Sequence, residues 1–261
     1  MSNTLHEGFK FGDPGLINIR GTNGSGKSTI VKRYIPKGAV QKRFDDIGTT
    51  YYDCGTHFVV GRYETDCGGL DAVRGTYDPK TGQGIRPFEA GQIAIGRLAP
   101  LKTTFAEGVI YGTTFKGSKE VHDELAKTNT PYFWFSIDMP FQEVFDSVLL
   151  RRVKSGNADP LSTENIAKKF RPVLASLDKA VDAGLWTIYG HRDVIAQNVD
   201  DLVNNRPLTN ADLIGRKPDL TKFNKEAQVW FDKGTVSPTQ EMIDEHFPKP
   251  TTHGLGGFFK G

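Results

Sequence analysis

An α/β fold, with helices on both faces of a five-stranded, mainly parallel sheet, is what this sequence predicts. Three observations carry the prediction. Five short runs rich in β-branched and aromatic residues occur at 16–20, 57–63, 103–111, 132–138 and 185–189. Helical patterns or long connections separate them, which favours parallel strands covered on both sides. The chain has 261 residues, a length at which one α/β core with an appendage is expected.

The first run leads directly into Gly21-Thr22-Asn23-Gly24-Ser25-Gly26-Lys27-Ser28, which satisfies G-x-x-x-x-G-K-S. A helical pattern over 28–35 follows and stops at Pro36. A strand before the motif and a helix after it make a phosphate-binding loop. Successive backbone N–H groups and the positive end of the helix form a concave anion site for a β-phosphate. Lys27 is placed to bridge the β- and γ-phosphates, and the Ser28 hydroxyl to complete the coordination of Mg²⁺, with Thr29 next to it. The expected architecture is therefore a P-loop NTPase in three α/β/α layers, with ATP and Mg²⁺ as cofactors.

The second run opens into residues 65–92, which contain six glycines and few aliphatics and read as a long ordered loop. A helix is predicted over 141–154, where Val144, Phe145, Val148 and Leu149 share a face and Gly156 lies just past the end. Another is predicted over 163–183, with Ile166, Phe170, Leu174, Leu177 and Val181 in one stripe and Gly184 as its stop. Pro172 within it implies a kink or two shorter helices. Beyond Pro207 the pattern changes to polar helical fragments and a glycine-rich tail at 254–261. The sequence thus divides into a P-loop domain over 1–206 and a C-terminal extension over 207–261.

Composition excludes several classes. Lys plus Arg number 33 against 31 Asp plus Glu, and a net charge of +2 gives no bulk attraction to polyanions, so any such partner needs a local patch. The two cysteines, Cys54 and Cys67, lack the spacing of a zinc site or disulfide framework. No stretch approaches the roughly 20 apolar residues of a spanning helix. A cytoplasmic protein with no membrane partner is expected.

The remaining sequence discriminates among P-loop proteins. The nearest match to the GTPase motif N-K-x-D is Asn224-Lys225-Glu226-Ala227, which lacks the aspartate. A motor ATPase needs an apolar run ending in two acids, but Phe135-Ser136-Ile137-Asp138 continues into Met139-Pro140. The turn Asp138-Met139-Pro140 and the helix end Leu150-Arg151-Arg152-Val153-Lys154 instead resemble the nucleoside and nucleotide kinases. The resemblance spans roughly residues 15–192. It implies a helical lid, here about 151–170, with Arg151 and Arg152 over the transferring phosphoryl group, where cations stabilise spreading charge. The alternative for both arginines is a solvated helix end. The step Phe105-Ala106-Glu107-Gly108 resembles the acid-glycine strand end of these kinases, which implies that Glu107 holds a magnesium-bound water. The alternative is a solvated cap or ion-pair partner.

The acceptor side is expected on residues 62–92, because ligands in parallel sheets lie beyond the carboxyl ends of the strands. Glu64, Asp66 and Asp71 each have the chemistry to take a hydroxyl proton; Asp71 ranks first and Asp66 second. Arg62 is placed to hold an acceptor phosphate, and Cys67 reads as a small buried residue. The pattern G-R-Y-x-x-x-C-G-G-x-D from Gly61 to Asp71, together with the phosphate loop, resembles bacteriophage kinases that act on 5-hydroxymethyluracil in DNA. That resemblance implies a γ-phosphate transferred to the hydroxymethyl group of the base, with Arg62, Tyr63, Gly68, Gly69 and Asp71 on the acceptor platform. Lys37, Lys42, Arg43, Arg74, Lys80 and Arg86, interleaved with Phe44, Tyr51, Tyr52, Tyr77 and Phe88, suit DNA containing modified thymine or, equally, the rim of any two-anion pocket. Two other functions stay open at the level of sequence: a kinase of free deoxynucleoside monophosphates, and a P-loop ATPase or ATP-binding module without transfer.

Overall fold

The computed structural model describes residues 5–64 and 68–246. In chain order its elements are β1 (Gly15–Arg20), α1 (Lys27–Lys32), β2 (Val40–Phe44), β3 (Thr49–Asp53), β4 (Phe58–Val60), α2 (Pro87–Leu98), β5 (Thr103–Glu107), α3 (Val109–Thr113), α4 (Phe115–Ala126), β6 (Tyr132–Asp138), α5 (Phe141–Lys154), β7 (Leu161–Ser162), α6 (Thr163–Asp182), β8 (Thr187–His191), α7 (Arg192–Val203), α8 (Leu220–Lys233), β9 (Thr235–Val236) and α9 (Gln240–His246). Leu70–Ala72 forms a single 3₁₀ turn.

Seven strands, not five, make the main sheet, in the order β2-β3-β4-β5-β1-β6-β8. The five strands from β4 to β8 in that order are parallel, while β2 and β3 form an antiparallel hairpin added to the β4 edge. The hairpin escapes a search for apolar runs because β2, Val-Gln-Lys-Arg-Phe, is an edge strand exposed at all but Phe44. A separate small pair joins β7 to β9.

The run at 103–111 divides. β5 stops at Glu107, Gly108 breaks the pairing, and Val109 begins α3. The loop predicted through residue 92 ends earlier, since Pro87 occupies the first turn of α2, where its missing N–H costs nothing. The predicted helix at 163–183 is one unbroken element, Thr163–Asp182, despite Pro172. Pro172 is exposed, so the Lys168 carbonyl that it leaves without a donor lies on the solvent side.

Alternation along β1 sends its side chains to opposite faces of the sheet. Ile17 and Ile19 are fully buried on one face, where Phe105 of β5 stacks on Tyr34, just past α1, at 4.8 Å. Asn18 and Arg20 leave the other face and meet Tyr132 and Ser118 of α4. Residues past 206 contribute to the same core: Phe223 and Trp230 of α8 stack with Phe141, Phe145 and Phe170, with centroids 4.2 Å apart for Phe141–Phe170 and 4.5 Å for Phe145–Trp230. No helix among the described residues is long and apolar enough to cross a membrane.

Candidate active site

The parallel strands β1, β5, β6 and β8 all end on one edge of the sheet, and the chain beyond them builds a cleft of about 510 Å³. Its floor is the phosphate loop. Gly26 is held at φ +91°, and a Cβ there would lie 2.5 Å from Cδ of Arg192, so only glycine lets the aliphatic part of that arginine cross the loop. α1 begins at once with Lys27. The Lys27 Nζ donates to the Thr22 carbonyl at 2.7 Å, and the Ser28 hydroxyl donates to Glu107 Oε1 at 2.7 Å.

Lys27 and Glu107 are both buried, and burial dominates the chemistry of each. It lowers the Lys27 pKa, opposed by the charges of Glu107 and Asp71. It raises the Glu107 pKa, opposed by Lys27 and by the Ser28 hydrogen bond. A cation and a carboxylate thus stay side by side because each offsets part of the other's desolvation cost.

The walls are cationic. Lys32, Arg151, Lys154 and Arg192 line the cleft with Lys27, against the two carboxylates Asp71 and Glu107. That balance suits an anion of several charges. Asp71 lies in the 3₁₀ turn, and its Oδ2 accepts the backbone N–H of Val109 at 2.8 Å, so it also fixes the start of α3. Gly69, at φ +65°, passes so close to β5 that a Cβ would lie 2.5 Å from both the carbonyl and Oε1 of Glu107. Gly69→Ala is expected to destabilise the protein by about 1–3 kcal/mol and to displace Glu107. Chemical denaturation measures the first effect and Mg²⁺ titration of activity the second; unchanged midpoints in both would show that the approach is not a constraint.

The remaining sequence-derived candidates are distributed unevenly. Asn23, Gly24, Gly26, Ser28, Thr29 and Gly68 line the cleft, as do Asp71, Glu107 and Arg151. Gly21, Thr22 and Ser25 shape the loop itself, with the Ser25 hydroxyl donating to the Thr22 carbonyl at 2.9 Å. Arg152 does not line the cleft; it donates to Asn157 Oδ1 at 3.1 Å, one position along α5 being enough to turn it away. Arg62 pairs with Glu64 at 3.5 Å on the surface, which occupies the cation considered for an acceptor phosphate. Asp66 and Cys67 lie outside the described residues. Tyr63 is buried beside the site, where burial raises its hydroxyl pKa well above the usual value and the charges of Glu107 and Asp71 add to the effect. Beyond it, Tyr52 donates to Glu64 at 2.6 Å, which pulls the Glu64 pKa down to about 2. Of the cations considered for DNA, Lys42 pairs with Asp53 and Arg43 with Asp45, while Arg86 stands over the Tyr77 ring at 5.3 Å.

Lys32, Ser147, Lys154, Ser155 and Arg192 are additions that sequence reasoning missed. Lys154 was within reach of it, standing one helical turn after Arg151 on the same face.

The chain is similar to phage 5-hmdU DNA kinases. It is 27% identical over 192 residues to the 5-hmdU DNA kinase of Pseudomonas phage PaMx11, covering 68% of this chain and 91% of that protein. The corresponding enzyme of Pseudomonas phage M6 is 25% identical over 198 residues, covering 72% of this chain and 97% of the relative. The 5-hmdU DNA kinase of Bacillus phage SP10 is 29% identical over 200 residues, which is 72% of this chain but 28% of that longer protein. No protein-family model and no solved structure matches the chain.

Proposed function

We propose that this chain is an ATP-dependent kinase that transfers the γ-phosphate to the hydroxymethyl group of 5-hydroxymethyluracil in phage DNA, a step toward hypermodified thymine. The observation that carries the reading is the pairing of a phosphate loop with a second carboxylate, Asp71, across one cationic cleft; the likeness to three named kinases supports it. The architecture behind it is the three-layer P-loop kind, and the place of action is the cytoplasm of an infected cell.

In this reading the loop from Gly21 to Thr29 binds the ATP phosphates, with Lys27 directed at the β- and γ-phosphates. Arg192, which lies against Gly26 of the loop, adds a further cation for the phosphates. Ser28 and Glu107, whose oxygens are 2.7 Å apart, would hold Mg²⁺, Ser28 directly and Glu107 through a bound water. When bound, the metal neutralises charge on the phosphates and favours departure of ADP. Asp71 accepts the proton of the hydroxymethyl group as its oxygen forms the new bond to the γ-phosphorus. The bond from that phosphorus to the β–γ bridging oxygen breaks, and ADP leaves with the electron pair. Arg151, with Lys154 beside it, stabilises the charge spread over the equatorial oxygens. The base must leave the duplex stack to reach such a cleft, and Tyr63, Gly68 and Gly69 border the side from which it would enter.

The test is transfer of label from γ-labelled ATP with Mg²⁺ to a panel of acceptors: hydroxymethyluracil DNA, ordinary DNA, and each free deoxynucleoside monophosphate. Label on hydroxymethyluracil DNA alone is expected. Label confined to a free nucleotide would replace this reading with that of a nucleotide kinase, and phosphate release without any labelled acceptor would make the chain an ATPase.

A further inference from the structure

Arg20, the last residue of β1 before the phosphate loop, is 1% exposed, yet it has no carboxylate partner among the described residues. Its guanidinium stands 3.5 Å over the Trp134 ring, and Nη2 donates to Ser118 Oγ at 2.9 Å. Nε and Nη1 make no hydrogen bond to the described residues. Burial lowers its pKa to about 10. A buried cation without an ion-pair partner lowers stability, and a long apolar side chain would fill the same space at less cost. Packing alone therefore does not account for an arginine here.

Besides the Tyr132 hydroxyl, its polar contact is Ser118, which leads to α3. The Ser118 hydroxyl accepts from Arg20, donates to the Thr114 carbonyl at 3.0 Å and lies 3.5 Å from the Tyr111 carbonyl, so it grips the C-terminal end of that short helix. Asp71 holds the N-terminal end through Val109. Between them Gly112 lies against the loop, where an added Cβ would sit 3.7 Å from the Gly21 carbonyl. Five residues of helix thus span the distance from Asp71 to the strand that carries the phosphate loop.

We infer that Arg20 is a positioning residue for phosphoryl transfer: through Ser118 it clamps α3 against the phosphate loop and so fixes where Asp71 stands relative to the bound triphosphate. The assignment rests on the kinase reading above for its consequence but not for its geometry. A misplacement of the order of 1 Å at a reacting group lowers rates by about 100-fold. Nucleotide binding uses the loop and the cationic walls of the cleft, which the Arg20 side chain does not line.

Two readouts test this in the full chain. In Arg20→Met, hydrogen exchange of the amides at 109–113 is expected to accelerate about 10-fold or more while α1 and β6 stay protected. The kcat for label transfer should fall about 10- to 100-fold, with the ATP Kd within about 3-fold of wild type. Ser118→Ala should move both readouts in the same direction by less, and the double variant should be no worse than Arg20→Met alone. Exchange at 109–113 indistinguishable from wild type in Arg20→Met overturns the inference, as does loss of activity matched by an equal loss of ATP affinity. Should Arg20→Met fail to fold, Ser118→Ala decides: unchanged exchange and unchanged kcat in that variant overturn the clamp. If wild-type protein transfers no phosphate to any acceptor, the kinase reading fails, and the exchange data still judge the clamp.

Discussion

Replacing Lys27 by alanine is expected to reduce phosphoryl transfer by about 1,000-fold or more, the scale on which a pre-placed cation at a transferring phosphoryl group acts. The loss has two sources in this cleft. The ammonium that would meet the β- and γ-phosphates is gone, and Glu107 loses the nearby charge that opposes the effect of burial on its pKa. A buried carboxylate without that cation takes up a proton more readily and then holds the magnesium-bound water less well. ATP affinity should weaken along with the rate, because the loop carries the triphosphate. Equilibrium binding of ATP and single-turnover transfer together measure both. Transfer within 10-fold of wild type would remove Lys27 from the mechanism.

Asp71→Asn separates the acceptor chemistry from the nucleotide site. The amide oxygen of asparagine can still accept the Val109 N–H, so the start of α3 keeps its anchor, but the side chain can no longer take a proton. Turnover is expected to fall about 100- to 10,000-fold, the range of a lost general base, with ATP binding nearly intact. The contrast with Lys27→Ala is what identifies the role: one variant loses binding and rate, the other rate alone. Asp71→Asn with wild-type turnover would restrict Asp71 to its structural bond with Val109.

Legibility in the sequence followed contiguity. The glycine-rich loop after β1 was readable as a unit because its residues are successive, and the structure flanks it with β1 and α1 as the motif requires. Glu107 was readable from the acid-glycine step at the end of β5, and the break at Gly108 that makes it a strand end became visible only when Val109 proved to start a helix. Arg192 and Ser147 were not readable, since one begins α7 and the other lies midway along α5, and only the order of the strands brings both to the phosphate loop. The β2–β3 hairpin was missed for a different reason. Its edge strand carries three consecutive polar residues, Gln41 to Arg43, and only Phe44 is half-buried, stacked on Tyr51, so hydrophobic periodicity leaves little trace of it. Arg151 and Arg152 were indistinguishable by composition, and the helix phase that sends one into the cleft and the other toward Asn157 depends on how α5 packs.

The atom that receives the phosphate can be identified directly. Hydroxymethyluracil DNA treated with the protein and γ-labelled ATP should be digested to nucleosides and separated by chromatography with mass detection. The label is expected to remain on a modified pyrimidine nucleoside, as a phosphate ester of its 5-hydroxymethyl group, in amounts that follow the hydroxymethyluracil content of the DNA. Label recovered at strand ends, or transferred equally to DNA lacking the hydroxymethyl group, would contradict it.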